Sequence, residues 1–411
     1  LSINYSFPRR QFPNSLAPIM NSTVKRTIGI VLAVVLIAGI VAAVLIGRSA
    51  GAGSNAPAKD AKGLTIVTGV IGSEKAPFFA DPQVIKEFSA HGLNVQVTTA
   101  GSRQIATTVD LKPLDFVFPS SAPAAEKIEE KLGKSTNFAP FYSPMAIATF
   151  KPIVSLLKNA GIAYQSSDGI WHLNVAAYLK AVAAGTRWDQ LPGAATVYPS
   201  SRSVLISSTD IRQSNSAAMY LSIASYVANQ NNVVSSQADQ SAVIGPVSSL
   251  FLEQGFSASS SEEPFDDYLS QGIGSKPMVM IYEAQFLGQE MSATQSSAIT
   301  KDMVLMYPDP DVFSKHTLVG ITASGAKVGN LLVNDPKLAR LAALYGFRPA
   351  DPSVFAAELK AHKLAVPALP VNVIDPPSYE SLESMIEAIS NLYDAPQPTS
   401  PVPTPAPTTN Q

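Results

Sequence analysis

Nineteen consecutive residues, Ile28 to Ile46, carry no charge and no polar side chain. As a helix rising about 1.5 Å per residue they span roughly 28 Å, close to the hydrocarbon thickness of a bilayer. Lys25 and Arg26 stand just ahead of the run, with Arg9 and Arg10 further upstream, while Arg48 alone follows closely. That asymmetry predicts a cytoplasmic segment 1–27, a transmembrane helix or signal-anchor over 28–46, and a body outside the cytoplasm. A cleaved signal peptide at Ala50-Gly51-Ala52 is the competing reading, but the run exceeds the usual h-region length and Arg48 stands between the run and that site. Either reading exports the rest of the chain. Residues 1–19 precede Met20; they are expected to be an extension, and no function is read into them.

Beyond the run, residues 47–62 read as a flexible linker, rich in Gly, Ala, Ser and Lys from Ser49 to Lys62. Residues 395–411 carry six prolines among Thr and Ser and read as an extended, solvated tail. Between them lie residues 63–394, the 332-residue folded body. The chain is 46% hydrophobic, which is ample for a core. It has 29 Lys plus Arg against 31 Asp plus Glu, a net charge of -2, so no basic footprint for nucleic acid exists. Cysteine is absent, which excludes disulfides, thiolate metal sites, thiol catalysis and a lipoprotein anchor.

The body alternates strand-like and helical patterns. Leu64 to Val70, Asn94 to Thr98 and Asp115 to Phe118 read as strands, with helices at Val84 to Ala90 and Ala124 to Leu132 between and after them. This βαβαβ order predicts an α/β fold with a parallel sheet, and ligands beyond the carboxyl ends of its strands. Further along, Pro152 to Ala160, Asn174 to Ala184 and Ser214 to Asn229 are expected to be helices, and Ser203 to Ser207 a strand. Met278 to Tyr282 runs as a strand straight into a helix at Glu283. Val304 to Tyr307 and Thr317 to Ile321 are further strands, followed by helices near Pro336 to Tyr345, Pro352 to His362 and Tyr379 to Tyr393.

Three segments end a strand in a small polar loop: Leu64-Thr-Ile-Val-Thr-Gly-Val-Ile-Gly-Ser-Glu-Lys75, Val97-Thr-Thr-Ala-Gly-Ser-Arg103 and Asp115-Phe-Val-Phe-Pro-Ser-Ser121. Phe141-Tyr-Ser-Pro-Met-Ala-Ile-Ala148 and Val304-Leu-Met-Tyr-Pro-Asp-Pro310, followed by Lys315-His-Thr-Leu-Val-Gly320, look like two crossings between lobes. In this order and texture the chain resembles bacterial extracellular solute-binding proteins of the type II periplasmic-binding fold. The resemblance implies two α/β lobes, lobe 1 at about 63–145 and 315–394 and lobe 2 at about 151–301. They would hinge near Ser143 and Pro308 to trap a small polar solute, with an ABC permease as partner and the apolar helix as membrane tether.

The residues expected to line the cleft are Gly72, Ser73, Glu74, Gly101, Ser102, Arg103, Ser120 and Ser121 from lobe 1. Lobe 2 would add Ser208, Thr209, Asp210, Arg212, Ser214, Asn215 and Ser216, and the strand end Tyr282-Glu283. Strand-end loops and helix N-termini present free N–H groups, but Ser and Gly also serve there as ordinary turn and cap residues. Ser214 reads equally as a helix cap and Asp210 as an Asx-turn. Arg103 and Arg212 could share an oxyanion through bidentate hydrogen bonds. Trp171 and Trp188 read as packing residues, and Asp309 and Asp311 as a rigid turn rather than a calcium loop. The histidines His91, His172, His316 and His362 are scattered, and the sequence holds no HExxH, GxSxG, Walker or GxGxxG motif. No catalytic residue, cofactor or metal is expected. A surface protein of the same fold that binds a protein partner in envelope assembly or signalling is the alternative.

Overall fold

The structure, a computed structural model, describes residues 58–255, 257–292, 296–367 and 372–393. The apolar run 28–46, most of the linker and the proline-rich tail lie outside these residues. No helix among the described residues is long and apolar enough to cross a membrane.

Among the described residues eleven strands make up the sheet: β1 (Thr65–Ile71), β2 (Leu93–Thr99), β3 (Phe116–Phe118), β4 (Thr136–Phe150), β5 (Ala163–Gln165), β6 (Trp171–Asn174), β7 (Met278–Tyr282), β8 (Met303–Asp309), β9 (Asp311–Gly320), β10 (Arg348–Pro349) and β11 (Val373–Ile374). The main order is β2-β1-β3-β9-β4-β8-β6-β5. β1 pairs in parallel with β2 and β3, as the βαβαβ pattern predicts. Beyond β3 the expectation of a parallel sheet fails, because β9 runs antiparallel to both β3 and β4. The fold is mixed α/β. The return from the second half of the molecule enters the sheet from the opposite end, and no crossover helix turns it round.

β4 is the spine. Its first part, Thr136 to Pro144, pairs with β9, and Phe141 and Tyr142 also pair with β10. Its second part, Met145 to Phe150, pairs with β7 and β8. Ser143 to Phe150 is buried without interruption, as expected of a strand covered on both faces. The chain returns where β8 ends at Asp309 and β9 begins at Asp311. These two crossings divide the sheet into two halves, lobe 1 with β1, β2, β3, β9 and β10, and lobe 2 with β5, β6, β7 and β8. One contiguous apolar core nonetheless runs through both, from Phe78 and Phe118 to Met280 and Tyr220.

The helices start where the local chemistry provides a cap. Asp81 accepts from Gln83 N ahead of Pro82–Ala90, and Asn174 from Ala177 N ahead of Val175–Ala183. Ser236 and Asp239 cap Gln237–Leu252 reciprocally. That helix, Glu262–Gln271 and Ala323–Asn334 are absent from the sequence reading. Ser203 to Ser207 is not a strand. Only its ends bridge, Ser203 to Arg187 and Ser207 to Val279, because the chain touches β7 once and leaves.

Candidate functional site

The carboxyl ends of β1 and β3 meet the N-terminus of helix Asn215–Ala228 and the end of β7 where the two halves of the sheet adjoin. After β1, Gly72 N bonds Phe118 O at 3.2 Å and Ser73–Lys75 forms a tight helical turn. After β2, Gly101 precedes helix Ser102–Thr107, and Ser102 Oγ accepts from Ser120 N at 2.9 Å. From lobe 2, Asn215 Nδ2 donates to Ser120 O at 3.2 Å and to the Tyr282 hydroxyl at 3.1 Å. Ser73 and Ser260 hydroxyls meet at 2.8 Å. Gly72, Ser73, Glu74, Gly101, Ser102, Ser120, Asn215 and Tyr282 are thus brought close together, and Ser102, Arg103, Ser121, Ser214 and Asn215 line one small cavity beside them.

A charged cluster that spacing did not reveal sits at its floor. Lys75 is 0% exposed, which is rare for a lysine. Its ammonium binds Glu74 Oε1, Ser120 Oγ at 3.0 Å and His316 Nδ1 at 3.1 Å, and lies 4.8 Å from the Phe118 ring centre. Ser120 Oγ also donates to Glu74 at 2.6 Å. Burial pulls the Lys75 pKa down against the opposing pull of Glu74. Burial alone would raise Glu74, but Lys75 and His316 hold its carboxyl far below the usual range. His316 is lowered to about 4, by burial and by the Lys75 charge. His316 Nδ1 thus lies against both Lys75 Nζ, at 3.1 Å, and Glu74 Oε1, at 3.3 Å, while Nε2 has no partner among the described residues. Glu262, from lobe 2, is raised to about 7 by partial burial and by the Glu74 and Asp266 charges.

The remaining expected residues are placed differently. Asp210 is an Asx-turn: it accepts from Arg212 N at 2.9 Å and binds the Arg212 guanidinium at 2.8 and 2.6 Å. Arg103 pairs with Glu383 and donates to Arg212 O at 3.1 Å, so each arginine holds an internal carboxylate and the two guanidinium groups share none. Thr209, Ser214 and Ser216 bond among themselves, Thr209 to Ser216 at 2.9 Å and Ser214 to Ser216 at 3.0 Å. Ser208 Oγ is buried with no partner among the described residues.

Glu283 is a correction. The strand-end position suggested a free carboxylate, but Glu283 is 0% exposed, bound by Arg348 at 2.7 and 2.8 Å and by the Tyr307 hydroxyl at 2.6 Å. β7 ends at Tyr282 and Glu283 opens the following helix, Glu283–Met291, so Tyr282 bonds Asn215 while Glu283 turns to Arg348 and Tyr307. Trp188 is a core residue, as expected.

The cleft is largely filled by its own groups. A cavity of about 30 Å³ remains at the mouth, among Ser102, Ser121, Ser214 and Asn215. That is room for a water molecule or two.

No family model and no curated protein matches the chain. Among solved structures it is similar to the apo ferric ion-binding protein A of Pasteurella haemolytica, at 11% identity and a TM-score of 0.50, over 80% of this chain and 96% of that one. It is also similar to the sulfate-binding protein SubI of Mycobacterium tuberculosis, at 20% identity and a TM-score of 0.47, covering 79% and 98%. An ABC transporter structure from Clostridium perfringens aligns at 13% identity and a TM-score of 0.47, covering 80% and 98%. At such identities the likeness concerns fold. The described body has the mixed α/β fold of periplasmic solute-binding proteins.

Proposed function

We propose that the protein is a membrane-tethered extracellular solute-binding protein that captures a small polar ligand between its lobes and delivers it to an ABC-type importer. The observation that carries this reading is the convergence of Gly72 to Lys75, Ser102 and Ser120 with Asn215 and Tyr282, across two crossings that allow hinge closure. The apolar run 28–46 supplies the tether, and the enclosed hydrogen-bonding surface suits a polar solute rather than nucleic acid. The role is binding without catalysis.

Opening must break the Asn215 and Ser73 bonds across the cleft before a solute enters. A thermal-shift screen of the purified chain against sugars, amino acids, peptides and oxyanions tests the reading. A ligand at 100 times its Kd stabilises by about 2.7 kcal/mol, a visible rise in Tm, and Asn215→Ala should abolish the rise. No shift across the library counts against solute capture. It moves the reading to a surface protein that binds a protein partner, which the self-saturated cleft favours.

A further inference from the structure

Helix Tyr379–Tyr393 spans the mouth of the cleft and touches both lobes by different chemistry. On the lobe 2 side the contact is apolar and buried. Met385 and Ile389 are 0% exposed, and the helix lies along Gln237–Leu252. Tyr393 donates to Phe251 O at 2.9 Å, Ser384 to Gln240 at 2.7 Å, and the Arg212 guanidinium lies 4.8 Å from the Tyr393 ring centre.

On the lobe 1 side two ion pairs that reach solvent stand beside one apolar contact, made by Tyr379. Glu383 takes the Arg103 guanidinium in a forked pair, with Nε 2.8 Å from each carboxylate oxygen. Glu380 pairs with Lys127 at 3.1 Å, and the Tyr379 ring packs on the apolar cluster of lobe 1 that includes Ile105, Ala124 and Ile128. The side chains of Lys127 and Glu380 are 30% and 63% exposed, those of Arg103 and Glu383 32% and 19%. Solvent-exposed ion pairs weaken with salt, whereas buried apolar packing does not.

We propose that helix Tyr379–Tyr393 is an ionic latch that rides on lobe 2 and holds the cleft shut by engaging Arg103 and Lys127 of lobe 1 through Glu383 and Glu380. Releasing these two pairs removes the ionic part of the hold on lobe 1, beside the Tyr379 contact and the Asn215 and Ser73 bonds, without unpacking the helix from lobe 2. The latch's part in capture rests on the function proposed above. The latch itself is tested with no solute present, so either idea can fail alone.

The chain has no cysteine, so introduced ones label uniquely. Lys86→Cys and Lys180→Cys, exposed on helices of lobe 1 and lobe 2, carry spin labels in the full-length protein in detergent. Pulsed electron paramagnetic resonance reads the distance between them. The unaltered latch should give one dominant short distance at low salt. Glu380→Gln with Glu383→Gln should raise the longer-distance population at least threefold, and raising sodium chloride from 50 to 500 mM should do the same without mutation. Arg103→Glu should open the cleft and its combination with Glu383→Arg should close it again. A folded double Gln variant with the unmutated distance distribution overturns the latch. Should that variant not fold, a distribution unmoved by salt overturns it equally.

Discussion

At the scale of single residues, the Lys75–Glu74 pair is the most consequential feature of the cleft. Both side chains are nearly out of water, at 0% and 4% exposure, and each satisfies the other's charge. Replacing Lys75 by Met leaves Glu74 buried without its counter-ion. The expected loss is about 3–5 kcal/mol in urea unfolding, since an uncompensated buried charge costs far more than an ion pair contributes. His316 adds an acid limit. Its pKa falls from 6.5 to about 4 on folding, so below pH 6.5 the unfolded chain binds more protons. Stability should be complete above that pH and decline by roughly 3 kcal/mol as pH drops to about 4. The depressed Glu74 carboxyl extends the same decline to lower pH. A His316→Phe variant should flatten the first part of this limb; an unaltered limb would assign it to other groups.

At the scale of elements, caps and crossings carry the arrangement. Asp335 closes one helix and opens the next, accepting from Lys337 N at 2.9 Å and Leu338 N at 3.1 Å and binding His91 Nε2 at 2.9 Å. Asp335→Ala should cost about 1–2 kcal/mol of stability by chemical denaturation, with solute binding unchanged. Glu283 and Arg348 join the helix that follows β7 in lobe 2 to β10 of lobe 1 beside the crossing strands. Much of this level was legible in residue order: β1 to β3, the strand-to-helix step at Glu283 and the three last helices all match hydrophobic period and cap chemistry. Helix Gln237–Leu252 was not, because Gly245 and Pro246 interrupt it and its apolar residues show no single face. The fifteen-residue β4 was legible only in its crossing part, Phe141 to Ala148; its first residues, from Thr136, are half exposed and carry no clear alternation.

At the scale of the whole molecule, closure is written into Gly101. Its backbone φ of -63° suits any residue, yet a Cβ there would lie 2.1 Å from Gln213 O of lobe 2. Gly101→Ala should therefore leave each lobe intact and hold the cleft ajar. Small-angle scattering should show a larger radius of gyration with an unchanged circular dichroism spectrum; equal radii would sink the idea. Glu262 responds to the same closure from the alkaline side. Its pKa is raised from 4.5 to about 7 by partial burial and by facing Glu74 across the lobes. This contribution is present below pH 4.5 and lost as pH rises through 7. Glu262→Gln should flatten the stability profile around neutral pH, and a profile that keeps its slope would place the effect elsewhere.

The sequence by itself determined the alternation of strands and helices, the polar loops after β1, β2 and β3, and the gathering of Asn215 and Tyr282 at element ends. Those are local matters of hydrophobic period, caps and strand alternation. Tertiary structure alone decided what faces what. It brought His316, 241 positions away, to Lys75. It set Glu383 on Arg103 across 280 residues, and turned Glu283 from the cleft to Arg348. A charge's partner depends on distances that only the packed lobes define, because desolvation and Coulomb attraction act through space and not along the chain.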